Sequence, residues 1–337
     1  MFVIKKNISL KHHNTFGIEA AAAYYAKANT VEKVLYAINF ASYNKVPIYV
    51  LGGGSNIVFT KNFDGVIINP AIQGIAIVED MPNNVVVRVG AGVEWDAFVS
   101  SCVERGWSGV ENLSHIPGSV GASPIQNIGA YGVEAKDSIV KVEGVWIDSR
   151  KPFELNNSEC RFAYRDSIFK QEYKGKAVVT HVLFKLSKTF EPKTNYGNLE
   201  EELSKLGDRT LASVRQAVIN IRTAKLPDPA VIGNAGSFFK NPIVEVDLFE
   251  RVKAKYPNVP SYAVSESFVK IPAGWLIEQC GWKGKQVGNC GVHAKQALVL
   301  VNHGEATGNE VLTLASSIQN SVTQEFGITL EMEVNTL

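Results

Sequence analysis

At 337 residues, with 45% hydrophobic and 20% charged residues, the chain is longer than one hydrophobic core usually supports, so two or three lobes around a cleft are expected. A formal charge of +1, from 34 basic and 33 acidic residues with no dense basic stripe, argues against nucleic acid as a partner. No run of about 18 apolar residues occurs and the first residues, MFVIKKNISLKHHN, hold no signal-peptide core, so a cytoplasmic protein without a membrane partner is expected.

Cys102, Cys160, Cys280 and Cys290 are too widely spaced for a CxxC motif and are expected to be reduced, structural thiols. His12, His13, His115, His181, His293 and His303 show neither HExxH nor paired i, i+4 spacing, so no metal site is expected.

In chain order, Val31, Val34, Leu35, Ile38 and Ala41 recur at helical spacing behind Thr30 as N-cap, and the helix must stop before Pro47. Ile48–Leu51 then reads as a strand, Gly52-Gly53-Gly54-Ser55-Asn56 as a turn, and Ile57–Phe59 as another strand. Glycines in such a turn let successive N–H groups converge on an anion, which makes it a candidate phosphate cradle. Val85–Val89 reads as a buried strand, followed by a helix with Phe98, Val99, Cys102 and Val103 on one face and Gly106 as its stop.

Residues 112–132 (NLSHIPGSVGASPIQNIGAYG) have no regular period, yet Ile116, Val120, Ile125 and Ile128 argue against disorder, so a binding loop is the better reading. A helix over Ser213–Ala224 ends at Lys225-Leu226-Pro227-Asp228-Pro229, where a domain boundary is placed. Val311, Leu314, Ala315, Ile318, Val322 and Phe326 predict a last helix, and 328–334 alternates with period two, predicting a strand whose polar face carries Glu331 and Glu333.

Three segments mix charge with apolar neighbours: Arg161–Ser167, Asn234–Pro242 and Glu331–Glu333. Arg165, flanked by aromatics, is either an ion-paired structural residue or a fixed cation for a carboxylate. Ser237 lies between Gly236 and two phenylalanines without a GxSxG elbow, so it suits a hydroxyl donor better than a nucleophile. The two glutamates read equally as a solvated strand face. Composition and spacing end at an enzyme-like cleft protein with an anion loop and no named reaction.

These segments, in chain order from Asn14-Thr15-Phe16-Gly17 to Glu333, resemble the type I branch of the UDP-N-acetylenolpyruvoylglucosamine reductase family. Leu51–Asn56 is similar to that family's first flavin loop and Ile116–Gly132 to its second. The resemblance implies an α+β fold: a two-lobed FAD-binding domain of the vanillyl-alcohol oxidase (PCMH) type, with lobes at 1–69 and 70–205 and its PCMH-type region at about 17–188. A C-terminal α+β substrate domain at 206–337 would close over a UDP-sugar. FAD, bound non-covalently, is expected to contact Gly52, Gly53, Gly54, Ser55, Asn56, Pro117, Gly118, Gly121, Ala122, Ser123, Gln126, Asn127 and Gly129.

Tyr196, in Thr194–Asn198, resembles the tyrosine that folds over the substrate diphosphate, and Tyr164, Lys225, Asn241 and Gln296 match further substrate positions. Arg165, Ser237 and Glu333 match the three catalytic positions, with Glu331 the fallback for the glutamate. The implied activity is NADPH-dependent reduction of UDP-N-acetylglucosamine enolpyruvate to UDP-N-acetylmuramate in peptidoglycan precursor synthesis, by a monomer. This sequence departs from the family where Met332 stands for a common proline, Gly53 for an acidic residue in some relatives, and Asn335-Thr336-Leu337 for a longer last strand. Two competing expectations remain: an FAD-dependent oxidase of the same fold acting on an alcohol or lactone, and a nucleotide-sugar binding module without turnover.

Overall fold

The computed structural model describes residues 2–337. Its contacts divide into two compact units, one gathering the residues up to Ile8, Ala21–Gly54 and Phe63–Ala224, the other Ser9–Ala20, Ser55–Asn62 and Lys225–Leu337. Neither unit is a single stretch of chain.

The first unit contains two sheets. In the four-stranded sheet, ordered Lys5–Ser9, Ala21–Ala28, Phe63–Pro70, Ile48–Val50, the last three strands run parallel. Parallel neighbours need a crossover, which helix α1 (Val31–Asn44) supplies. Thr30 caps α1, its hydroxyl accepting from the Lys33 N–H at 3.3 Å, and Lys45 ends it in the left-handed region. The expected apolar face is the buried one: Val34, Ala37, Ile38 and Ala41 pack on Ala26, Ala28, Val66 and Ile68.

The second sheet is antiparallel, ordered Pro152–Asn156, Ile139–Trp146, Ala177–Ser187, Asn84–Gly90, Ile75–Asp80. Helix α2 (Trp95–Glu104) lays Trp95, Phe98 and Val99 on Val85, Val87, Val89 and Phe184. Trp95, Phe98 and Phe184 meet with ring centroids 4.7 to 5.9 Å apart. Truncating one such buried aromatic to alanine costs about 3–5 kcal/mol. Helices α3 (Leu199–Leu206) and α4 (Leu211–Lys225) share a core of Leu199, Leu203, Val214, Ala217, Val218 and Ile221.

In the second unit an antiparallel sheet runs Gly233–Ser237, Val299–Asn302, Cys290–Val292, Gln286–Val287. Beside it are a three-stranded sheet (Ile243–Glu245, Phe268–Lys270, Tyr262–Ala263) and helices α5 (Val246–Lys255), α6 (Ala273–Gln279) and α7 (Gly308–Phe326). A capping box between Thr307 and Glu310 starts α7, and Gly327 in the left-handed region ends it.

The regular strand expected at 328–334 is not formed. Ile328, Leu330 and Val334 are buried as the alternation predicts, but the backbone makes only a bridge between Met332 and Phe239, and the ladder that follows, Asn335–Thr336 on Ile57–Val58, is parallel. One neighbour takes the segment up to Glu333 and a different one takes the residues after it, so no single ladder spans it. Among the described residues no helix is long and apolar enough to cross a membrane, and no cluster of three or more His, Cys, Asp or Glu is placed to hold a metal.

Candidate active site

Within the first unit the two glycine-rich segments touch. A Cβ on Gly53 would lie 3.0 Å from the Gly118 Cα, and one on Gly52 would lie 2.9 Å from the Ser119 hydroxyl and 3.5 Å from the Ala122 Cβ. Asn69, which the sequence reading passed over, fixes the first segment: its side-chain N–H groups donate to the carbonyls of Leu51 (2.7 Å) and Gly52 (3.1 Å). In a trans peptide the N–H points opposite to the C=O, so the N–H groups of Gly52 and Gly53 face away from Asn69.

The same holds across the contact, where the Gly118 carbonyl accepts from the Trp95 N–H at 3.0 Å and turns the Ser119 N–H the other way. Three backbone donors on touching loops, without bulky side chains, are what an anionic diphosphate requires. The residues present therefore fit the pyrophosphate of FAD. Ser119, which was not among the expected residues, lies at the same contact between the two segments. Ser55 and Asn56 fall in the second unit.

The other expected flavin residues divide by what their atoms already do. Gly121 packs against Ala91, where a Cβ would come within 2.5 Å of the Ala91 Cβ, and its N–H donates to the Ala91 carbonyl. The buried Ser123 hydroxyl donates to the Val120 carbonyl at 2.8 Å. The buried Asn127 carboxamide donates to Glu134 (2.9 Å) and to the Ala163 carbonyl (3.0 Å) and accepts from the Lys136 N–H (3.0 Å). These three side chains or closely packed positions shape the loop from inside. Pro117 is exposed, and Ala122, Gln126 and Gly129 are half-buried.

Asn127 thereby connects the loop to Tyr164 and Arg165. Ala163 and Asp166 exchange both main-chain hydrogen bonds, so Tyr164 and Arg165 form a two-residue turn, with Arg165 at φ +54°. Arg165 Nη2 donates to the Gly129 carbonyl at 2.8 Å, and the guanidinium lies 5.5 Å from the Tyr164 ring centroid. Tyr196 stands edge-on to Tyr131 at 6.5 Å.

A second cation not foreseen from the sequence, Arg222 on α4, donates to the His115 carbonyl at 3.1 Å. Burial holds its guanidinium below the usual arginine value, and the neighbouring positive charge of Arg165 adds to that effect while Tyr131 and Asp96 oppose it. The sequence marked Ser213–Ala224 as helical but gave no sign of this partner. Arg215, two turns earlier, forms a two-point pair with Asp96 at 2.7 and 2.8 Å.

Within the second unit Ser237, Glu333, Asn241, Gln296 and Lys225 are placed. The Lys240 N–H donates to the Glu331 carbonyl and the Glu333 N–H to the Phe238 carbonyl, both at 2.9 Å, which sets Glu333 beside the residue following Ser237. Glu331 points its carboxylate to Lys240 Nζ at 2.5 Å and is exposed, whereas Glu333 is half-buried. The two glutamates thus differ in surroundings, and Glu333 is the one placed near Ser237. The Ser237 hydroxyl is half-buried and makes no hydrogen bond to other described residues of the chain.

Asn241 Oδ1 accepts from the Ala273 N–H at 2.9 Å, and Gln296 Oε1 would lie 3.1 Å from a Cβ on Gly274, so both carboxamides gather at the start of α6. Lys225 is exposed at the end of α4. All four cysteines are free thiols; burial pushes Cys160 up to about 12 and Cys102 higher still.

A family described as UDP-N-acetylenolpyruvoylglucosamine reductase, C-terminal domain, matches residues 228–337, and one described as FAD binding domain matches 22–148. A relative named UDP-N-acetylenolpyruvoylglucosamine reductase from Bacteroides fragilis is 49% identical over 332 residues, covering 98% of this chain and 99% of the relative. The crystal structure of the reductase of that name from Thermus caldophilus superimposes with a TM-score of 0.70 at 24% identity, covering 100% of this chain and 99% of the other. That of p-cresol methylhydroxylase gives 0.50 at 12% identity, covering 96% and 84%. These two likenesses concern the fold, an α+β FAD-binding domain of the PCMH type followed by a C-terminal α+β domain. FAD is the cofactor that this domain takes. On its identity along nearly the whole length, the chain belongs to the UDP-N-acetylenolpyruvoylglucosamine reductase family.

Proposed function

We propose that the protein reduces UDP-N-acetylglucosamine enolpyruvate to UDP-N-acetylmuramate with NADPH, in peptidoglycan precursor synthesis. The observation that carries this reading is the match along 98% of the chain to a reductase of that name. When bound, FAD supplies the two-electron chemistry, taking hydride from NADPH and returning it to C3 of the enolpyruvyl double bond.

Adding hydride at C3 loads the electron pair of the double bond onto C2 and its carboxylate. Arg165, oriented by the Gly129 carbonyl, holds that carboxylate and stabilises the charge as it develops. Glu333 orients the developing enol. The Ser237 hydroxyl, which has no competing acceptor among the described residues, gives its proton to C2 and recovers one from solvent, completing addition of one hydride and one proton across the double bond. Proton delivery of this kind contributes roughly 10²–10⁴ in rate.

Lys225, Asn241, Gln296, Tyr164 and Tyr196 hold the nucleotide sugar in this reading. The half-buried carboxamides at the start of α6 suit its polar edges, and the tyrosines and lysine its diphosphate. The protein works in the cytoplasm as a monomer, with no nucleic-acid or membrane partner. Ser237→Ala tests the assignment: its bound flavin is expected to be reduced by NADPH at the normal rate, while reoxidation by the enolpyruvyl substrate falls by roughly 10²-fold or more. Normal reoxidation would remove Ser237 from the mechanism.

A further inference from the structure

The strand that carries Ser237 is irregular just before it. Asn234 pairs with Val301 and Ser237 with Val299, so Ala235 and Gly236 together face the single residue Leu300. A bulge of this kind bends a strand and re-aims the side chain that follows. Gly236 takes φ +69°, the left-handed conformation that suits glycine.

The bulge is held by Asn234, which is buried at 5% exposure. Its Oδ1 accepts from the Gly236 N–H at 3.0 Å, and its Nδ2 donates to the carbonyls of Ile232 at 3.0 Å and Pro227 at 3.3 Å. One carboxamide thus fixes the bulge to the residues before the strand and to the connection that follows Lys225.

Asn234 is itself gripped from the open edge of the sheet. Its N–H donates to the Thr15 carbonyl at 3.0 Å, and its carbonyl accepts from the Thr15 hydroxyl at 2.7 Å, across 219 residues of sequence. The grip is rigid because the segment around Thr15 is. Asn14 accepts from the Ile18 N–H and donates to the Leu10 and Ile18 carbonyls. Phe16 is fully buried, edge-on to Phe238 at 6.5 Å, and a Cβ on Gly233 would lie only 2.2 Å from its carbonyl oxygen.

We infer that Thr15 and Asn234 are positioning residues for Ser237: Asn234 holds the bulge that aims the hydroxyl, and Thr15 holds Asn234 in place. This rests on the reading of Ser237 as the proton donor. The Asn14–Gly17 segment, which the proposed chemistry leaves without a task, then serves one particular strand and not only the fold. Displacing a reacting group by about 1 Å costs on the order of 10²-fold in rate, so a modest loosening of the bulge is enough to be read.

The test uses the full-length, flavin-loaded protein. Asn234→Ala is the direct variant; because it also removes buried hydrogen bonds and can fail to fold, Thr15→Val carries the decision, since it keeps side-chain shape and the main-chain bond. Thr307→Ala, which removes only the cap of α7, controls for general destabilisation. In rapid mixing, Thr15→Val is expected to reduce its flavin with NADPH within twofold of the unmodified rate and to reoxidise with UDP-N-acetylglucosamine enolpyruvate about 10- to 100-fold more slowly. Its solvent deuterium isotope effect on that second step should rise, exchange of the Gly236 amide should quicken at least tenfold, and Thr15→Ser should restore all three. Thr307→Ala should change none of them.

Equal slowing of both half-reactions, or behaviour in Thr15→Val indistinguishable from Thr307→Ala, overturns the positioning role. Slow reoxidation in Ser237→Ala with normal reoxidation in Thr15→Val overturns the positioning role alone. Normal reoxidation in Ser237→Ala overturns the reading of Ser237 and this inference with it.

Discussion

Asn56 and Glu333 are joined by a hydrogen bond: the Asn56 side-chain N–H donates to the Glu333 main-chain carbonyl at 3.3 Å, across 277 residues. Asn335 closes the same corner, its main-chain and side-chain N–H groups both donating to the Asn56 carbonyl, at 3.2 and 3.0 Å. The last residue of the first glycine-rich segment and the proposed catalytic glutamate therefore belong to one hydrogen-bonded corner of the second unit.

From this follows a contrast between two glutamates two residues apart. Glu331 is a surface carboxylate paired with Lys240, an interaction worth about 1 kcal/mol at most. Glu331→Gln is expected to keep kcat within about threefold, whereas Glu333→Gln lowers it by roughly 10²-fold. Steady-state kinetics on the two variants decides, and a larger loss in Glu331→Gln would reverse the assignment.

Arg165 offers a second contrast. Its planar group reaches the Gly129 carbonyl while lying near the Tyr164 ring, a geometry an ammonium cannot reproduce. Arg165→Lys should therefore lower kcat/KM by roughly 10²-fold with NADPH reduction of the flavin unchanged. Near-normal kcat/KM would show that only the charge matters there.

The glycine contacts make a prediction about the cofactor alone. Gly53→Ala places a methyl 3.0 Å from the Gly118 Cα, on the cradle itself, so the Gly118 backbone must shift; it should raise the Kd for FAD at least tenfold, or about 1.4 kcal/mol, and lower the Tm of the flavin-free protein by a few degrees at most. Quenching of FAD fluorescence on titration measures this directly. An unchanged Kd would place the pyrophosphate elsewhere.

Much of this arrangement was legible in the sequence because it is local. The period of Val31–Ala41, the stop at Gly106 and the spacing of Val311–Phe326 each express a contact within a few residues, and the corresponding helices form where expected. Ser119 was hidden by its neighbours in a glycine-rich run, Asn69 and Arg222 by having partners only in space. The alternation at 328–334 gave Ile328, Leu330 and Val334 as buried, while Met332 is only half-buried, and periodicity says nothing of which strand is adjacent; here the partner changes partway along. The insertion of Ser9–Ala20 and Ser55–Asn62 into the second unit is a matter of long-range pairing that no local pattern carries.

Asp96 supplies a pH dependence of stability. Burial works to raise its carboxyl, but the hydrogen bonds from Arg215 and from the His115 N–H outweigh that and hold it below the ordinary value of 3.8. A carboxyl lowered in the folded state contributes stability that is present above 3.8 and is lost as pH falls through its folded value. The Tm should therefore drop below about pH 4, and Asp96→Asn, with a Tm lower by a few degrees at pH 7, should drop less steeply over that window. Parallel curves for the two proteins would contradict the assignment.

The most direct measurement is oxidation of NADPH by the purified yellow protein, followed by absorbance with and without UDP-N-acetylglucosamine enolpyruvate. The account predicts rapid oxidation only when the sugar nucleotide is present, stoichiometric formation of UDP-N-acetylmuramate, and release of all flavin as free FAD on acid denaturation. Oxidation at the same rate without the sugar nucleotide, or flavin that stays attached to the denatured chain, would contradict it and favour an oxidase of the same fold.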